Sequence, residues 1–202
     1  MRRVDNFDRI ADGIQLAGWI IVPDFIEPQT LRGLRGECRE LATGGALRKA
    51  AVGKDANRRI REEIRGDEIF WLDDAGTCGS RMQCLNHFEQ LRLALNRRLQ
   101  LGLFEFECHY ARYAPGASYR RHYDRFHGDA RRILSSVLYL NADWRSGDGG
   151  ELRLHLDDAQ CAHVDVSPTG GTLVLFLSER FAHEVLPARC ERLSLTGWFR
   201  AR

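Results

Sequence analysis

Apolar residues recur along this chain with two different spacings, and the change falls near Gly102. Ahead of it the spacing is helical. Phe7, Ile10, Ile14 and Ala17 stand at three- to four-residue intervals and predict a helix over 5–17 that Gly18 ends. Trp19-Ile20-Ile21-Val22 then reads as a strand stopped by Pro23. Glu27-Pro28 opens a second helix with Leu31, Leu34, Cys38 and Leu41 on one face, and Gly44-Gly45 closes it. Residues 46–66 are rich in Arg, Lys, Ala and Gly with little apolar pattern, which predicts a long mobile loop. Strand character returns over 64–72, a polar stretch covers 73–80, and a third helix is predicted over 86–100 with Phe88, Leu91, Leu95 and Leu99 as its buried stripe.

Beyond Gly102 the spacing becomes two. Phe104, Phe106, Cys108 and Tyr110 alternate with Glu105, Glu107 and His109. Further strands are predicted over 132–140, 151–156, 161–166, 171–178, 182–186 and 191–200, most of them separated by turn sequences such as 146–150 and 167–171. Helices first and many short strands afterwards predict an α+β fold, a β-sandwich or jelly roll backed by helices. Neither an internal repeat nor a linker is visible, so the chain reads as one domain.

Composition narrows the field without choosing within it. A length of 202 residues with 44% hydrophobic positions is enough for a substantial core. A formal net charge of +2 does not favour a dedicated nucleic-acid binder. No apolar run approaches the roughly 20 residues that a membrane span needs, and the N-terminus leads into no apolar stretch of a secretory signal. The expectation is therefore a cytoplasmic protein without nucleic-acid or membrane partners. The six cysteines (Cys38, Cys78, Cys84, Cys108, Cys161 and Cys190) include no C-x-x-C pair and read as buried or free thiols in a reducing compartment.

The candidate chemistry begins at His122-Tyr-Asp124. In an extended strand, residues two apart project to the same face, so this imidazole and carboxylate can grip one ion. The motif alone says little, because H-x-D occurs four times, also as His127/Asp129, His155/Asp157 and His163/Asp165. Position separates them. The pair at 127/129 falls in a polar loop, His155 falls at a strand end, and His163 is placed on an outer face by apolar Ala162, Val164 and Val166. His183, just after the most apolar strand, would complete a set of two histidines and one carboxylate, which leaves one side of an Fe(II) open. Arg192 follows nine residues later, on the strand face it shares with Ser194, Thr196 and Trp198. A guanidinium beside a metal site calls for an anion, and a dicarboxylate supplies one: one end chelates the iron and the far carboxylate meets the arginine.

With these residues in place, the chain resembles the 2-oxoglutarate- and Fe(II)-dependent prolyl 4-hydroxylases, in the branch that holds the animal oxygen-sensing enzymes and their bacterial relatives. The segments that carry the likeness are 18–25, Ile64-Arg-Gly-Asp67 with Trp71, Tyr139-Leu-Asn141, Asp143-Trp144, Gly149-Gly150-Glu-Leu152, His183-Glu-Val-x-Pro187 and Arg192. The resemblance implies a double-stranded β-helix, a jelly-roll or cupin-like barrel supported by N-terminal helices. Residues 1–100 would give the mainly helical support and the mobile substrate loop, and 101–202 the catalytic barrel. It implies that His122, Asp124 and His183 hold Fe(2+), with no catalytic residue beyond these ligands. Arg192 would hold 2-oxoglutarate, with Tyr113, Tyr139 and Thr196 beside it. O2 would be the second co-substrate and L-ascorbate the reductant. The implied reaction hydroxylates a prolyl residue in an exposed loop of a protein, with elongation factor Tu as a candidate target, and releases succinate and CO2. Residues 46–63 do not match the animal enzymes closely. Two alternatives stay open: a hydroxylase of a free amino acid or another small metabolite, and a non-catalytic jelly-roll binding module.

Overall fold

Alternation along a single strand, β11 (Arg192–Arg200), sorts the molecule into layers. Leu193, Leu195 and Phe199 point to one side, into a core shared with three helices. Arg192, Thr196 and Trp198 point to the other side, into a cavity. In this computed structural model, residues 2–51, 59–61, 63–72, 79–125, 131–157 and 160–202 are described.

The helices are α1 (Arg2–Ala17), α2 (Pro28–Thr43) and α3 (Gly79–Leu99). The remaining strands are β1 (Trp19–Val22), β2 (Arg48–Lys49), β3 (Asp67–Leu72), β4 (Glu105–Tyr113), β5 (Tyr119–His122), β6 (Arg132–Tyr139), β7 (Leu152–Asp157), β8 (Ala162–Val166), β9 (Leu173–Leu177) and β10 (His183–Val185). They form a seven-stranded sheet in the order β1-β9-β6-β11-β4-β3-β2 and a four-stranded sheet in the order β5-β10-β7-β8. Every named pairing is antiparallel. Two facing antiparallel sheets with helices against one of them make the expected double-stranded β-helix.

The period of two explains how one sheet serves two cores. On β9, Leu173 and Leu175 join Leu34, Phe88, Leu91 and Leu95 of the helices, while Val174 and Phe176 face Leu152, Leu154 and Val185 of the smaller sheet. Strand β11 lies at the centre of the large sheet, between β4 and β6. At Gly197 an added Cβ would fall 2.6 Å from the Glu107 carbonyl oxygen and 2.7 Å from both Cys108 Cβ and the Phe106 ring. Gly197→Ala is therefore expected to cost about 1–3 kcal/mol by overpacking. In a thermal melt that lowers the midpoint by about 2–4 °C for each kcal/mol, and an unchanged midpoint would show that the strands part without cost.

Some element boundaries differ from expectation. Helix α3 begins at Gly79 rather than at 86, because its first turns bury Cys84 together with Arg81, which pairs with Glu37 of α2. A buried arginine interrupts the apolar stripe that the eye follows. Within the expected loop, Arg48 and Lys49 pair with Ile69 and Glu68, so the segment opens as an edge strand. The rest of that loop at 52–58 and 62, and the polar stretch 73–78, lie outside the described residues. Strand β3 starts at Asp67 rather than 64, since Arg65 bridges instead to Tyr119. Among the described residues, no helix is long and apolar enough to cross a membrane.

Candidate metal centre

Strands β5 and β10 pair with His183 directly opposite His122, which brings two distant imidazoles together. Asp124 lies two positions past the end of β5, so shared strand geometry accounts for His122 but not for the carboxylate. A hydrogen bond holds Asp124 instead: the Ser135 hydroxyl of β6 donates to Oδ2 at 2.7 Å, and Ser135 Oγ also lies 2.9 Å from Ser178 Oγ. The ligand atoms of His122, Asp124 and His183 all fall within 4.8 Å of one another.

Tautomers follow from the backbone. His122 Nδ1 sits 2.7 Å from the Arg120 carbonyl oxygen and His183 Nδ1 sits 3.4 Å from that of Phe181. A carbonyl only accepts, so each Nδ1 carries a proton and each Nε2 is the nitrogen turned to the site. The Nε2 atoms face the carboxylate, at 3.7 Å for His122 and 3.4 Å for His183. Burial, then the neighbouring His183, pushes the His122 imidazole down to about 3 and keeps it neutral. Burial alone would raise the Asp124 carboxyl, but His183, His122 and the Ser135 hydroxyl outweigh it and hold it below the usual carboxylate range. Two imidazoles, their outer nitrogens tied to carbonyls, and one carboxylate form a donor set that fits a ferrous ion.

The three ligands line a cavity of about 480 Å³ together with Arg192, Tyr113 and Thr196. Arg192 is 1% exposed. Its Nε donates to the Gly150 carbonyl at 2.8 Å, its guanidinium carbon lies 5.1 Å from the ring centres of both Tyr113 and Tyr139, and its Nη2 has no partner. The Tyr139 hydroxyl is also buried without a partner. Burial pushes the hydroxyls of Tyr113 and Tyr139 up, so both stay protonated donors. An unmatched guanidinium nitrogen at the cavity wall, with the unmatched Tyr139 hydroxyl behind it, fits a carboxylate.

Residues 108–200 match the 2OG-Fe(II) oxygenase superfamily. A crystal structure of a Pseudomonas putida prolyl-4-hydroxylase superposes with a TM-score of 0.88 at 47% identity, covering 97% of this chain and 99% of that one. The chain belongs to the prolyl hydroxylase family of 2OG-Fe(II) oxygenases. A second family member is a prolyl hydroxylase from Trichoplax adhaerens, solved in complex with a hypoxia inducible factor oxygen degradation domain peptide fragment. It matches at 26% identity with a TM-score of 0.85, over 98% of this chain and 92% of that one. Human Egl nine homolog 1 is 28% identical over 190 residues, 90% of this chain but 43% of that protein. The chain spans about half the length of the first curated family members it matches. Membership brings with it Fe(II), 2-oxoglutarate and O2.

Within this prolyl hydroxylase family member, the other H-x-D pairs do not gather ligands among the described residues. His155 Nε2 lies 3.0 Å from Glu184 Oε1, and His163 is exposed, its Nδ1 lying 3.2 Å from the Cys161 carbonyl. His127 and Asp129 lie outside the described residues. Sequence reasoning missed Ser135, since a serine on an apolar strand carries no pattern, and it missed His109. Alternation grouped His109 with Glu105 and Glu107 on a polar face; as β4 enters the barrel that face turns inward, and His109 is 1% exposed. Burial first, then Arg65 and Arg132, hold its imidazole well below its ordinary range.

Both depressed histidines, His109 and His122, resist protons that the unfolded chain takes up below its ordinary histidine pKa. Each therefore contributes stability that is present above about pH 6.5 and fades at about 1.4 kcal/mol per pH unit as pH falls. The metal-free protein is expected to melt lower at about pH 5 than at about pH 7. Equal midpoints in chelator-treated samples would show that the folded state accepts those protons.

Proposed function

We propose that this chain hydroxylates a prolyl residue of a protein substrate, as a single-domain, cytoplasmic Fe(II)- and 2-oxoglutarate-dependent dioxygenase. The observation that carries the proposal is the convergence of His122, Asp124 and His183 in one cavity with a buried arginine whose Nη2 is unmatched. Bound there, ferrous iron with 2-oxoglutarate and O2 supplies the oxidising chemistry that converts a C–H bond to C–OH, with succinate and CO2 as co-products. Cys38, Cys84 and Cys108 are buried as free thiols, which suits a reducing compartment and, with it, ascorbate as reductant.

The chain's own part is binding, orientation and exclusion of water. His122, Asp124 and His183 hold the metal on one side and leave the cavity side open. Arg192, with the Tyr113 and Tyr139 hydroxyls and Thr196 beside it, takes the far carboxylate of the co-substrate. Aliphatic Ile69, Val137 and Val185 line the same cavity and suit a prolyl ring. At the rim, Arg132 stacks over Trp198 at 3.5 Å and Trp71 is 41% exposed, a surface for the flanking peptide. A family member solved with a bound peptide supports a protein substrate over a free amino acid. An exposed prolyl loop of elongation factor Tu is the first candidate.

The test incubates iron-loaded protein with a cell lysate and 2-oxoglutarate, then maps prolyl peptides heavier by one oxygen atom. The expected result is one dominant site that requires 2-oxoglutarate. Turnover on free proline, with no modified peptide, overturns the proposal.

A further inference from the structure

We infer that His109 is a substrate-binding residue whose imidazole hydrogen-bonds a peptide group of the substrate; the inference rests on the prolyl-peptide reading above. His109 lines the cavity from β4, paired with Trp71 on β3 and Thr196 on β11. It is nearly fully buried, and neither ring nitrogen has a hydrogen-bond partner. Its neighbours do not satisfy it. The rings of Trp71 and Trp198 lie 4.7 and 5.5 Å away, and an indole offers one N–H and no acceptor. Buried polar atoms in native proteins nearly always find partners, so a pair of unmatched nitrogens on a side chain that lines a cavity marks a ligand position.

Chemistry selects the ligand. Buried beside the guanidinium groups of Arg65 and Arg132, the imidazole stays neutral and presents one N–H and one lone pair. That pairing complements a peptide group, with its carbonyl acceptor and amide donor, better than a carboxylate or a cation. Position separates this group from the arginine end of the co-substrate site. Tyr113, the residue beside Arg192, is four positions further along β4, about 13 Å away in an extended strand. His109 instead pairs with half-exposed Trp71 at the rim, whose ring lies 4.7 Å from the imidazole.

The test uses protein loaded with Mn(II) and 2-oxoglutarate without O2, and the capped peptide N-acetyl-alanyl-prolyl-alanine N-methylamide as probe. Ring-15N-histidine NMR, on protein loaded instead with diamagnetic Zn(II), is expected to show the His109 signals shifting on addition of the probe. H109M is expected to weaken the probe by about tenfold or more, and H109Q, which keeps a donor and an acceptor, by less than about threefold. Mn(II) and 2-oxoglutarate affinities stay unchanged in both. Without ligands, H109M is expected to raise the thermal midpoint by about 2–4 °C, since it removes unmatched buried nitrogens. Equal probe affinity in wild type and H109M, or a lowered midpoint, overturns the inference while leaving the proposed function in place. Should H109M not fold, H109L reads the same quantities. If neither folds, the imidazole has partners within the chain and the inference fails. Wild-type protein that takes Mn(II) and 2-oxoglutarate but not the probe overturns the prolyl-peptide reading and this inference with it.

Discussion

Asp124→Ala is expected to lose stoichiometric Fe(II) or Mn(II) while the protein keeps its fold. The carboxylate is the only anion of the three ligands, and both Nε2 atoms face it within 3.7 Å. Two imidazoles on adjacent strands remain after its removal. Losing even an outer partner of a metal ligand costs about 10–100-fold in affinity, so loss of the anionic ligand itself should weaken binding by more than about 100-fold. Hydroxylation and 2-oxoglutarate consumption should fall together. The fold persists because Ser135, which donates to Asp124, retains Ser178 as a partner, so no buried hydroxyl is orphaned. Metal titration followed by calorimetry, beside a circular dichroism spectrum, checks both halves. Retained stoichiometric metal would move the centre elsewhere.

Arg192→Met is expected to raise the KM for 2-oxoglutarate by on the order of 100-fold, with metal affinity unchanged. Breaking a buried, hydrogen-bonded ion pair by removing one partner costs about 3–5 kcal/mol, and the bound co-substrate would supply that partner. The free protein behaves differently. There the guanidinium is 1% exposed, with one bond to the Gly150 carbonyl and an unmatched Nη2. Replacing such a charge with an apolar side chain of similar length is near neutral or stabilising. The two effects point in opposite directions: a co-substrate defect together with an unchanged or higher melting temperature. Lysine at 192 keeps the charge but not the planar fork and should fall between the two. An unchanged KM would put the anion site on another residue.

Much of this architecture was legible in the order of residues, and the exceptions share a cause. The period of two along 192–200 divides Leu193, Leu195 and Phe199 from Arg192, Thr196 and Trp198, as the layers do. His122 was legible through its two-residue spacing from Asp124, and His183 through its place just after the most apolar strand and nine residues before Arg192. Asp124 was found by the wrong route, since its position depends on Ser135, eleven residues away in sequence and on another sheet. Long-range partners of this kind leave no local period. His109 was grouped with two glutamates because alternation gives a face but not which face is inside. Strand β2 is two exposed basic residues, with no apolar side chain to signal pairing.

One chain of contacts links the start of β3 to the candidate metal site. Asp67 grips Arg65 through two hydrogen bonds, at 2.7 and 3.0 Å. The Arg65 guanidinium lies 4.8 Å over the Tyr119 ring, and that ring stacks on His122 at 3.6 Å. The segment leading into β3 thus rests, through one aromatic plate, on the His122 imidazole. Should a substrate displace this segment, its affinity and that for the metal would be thermodynamically yoked, each changing by the same factor when the other site is filled.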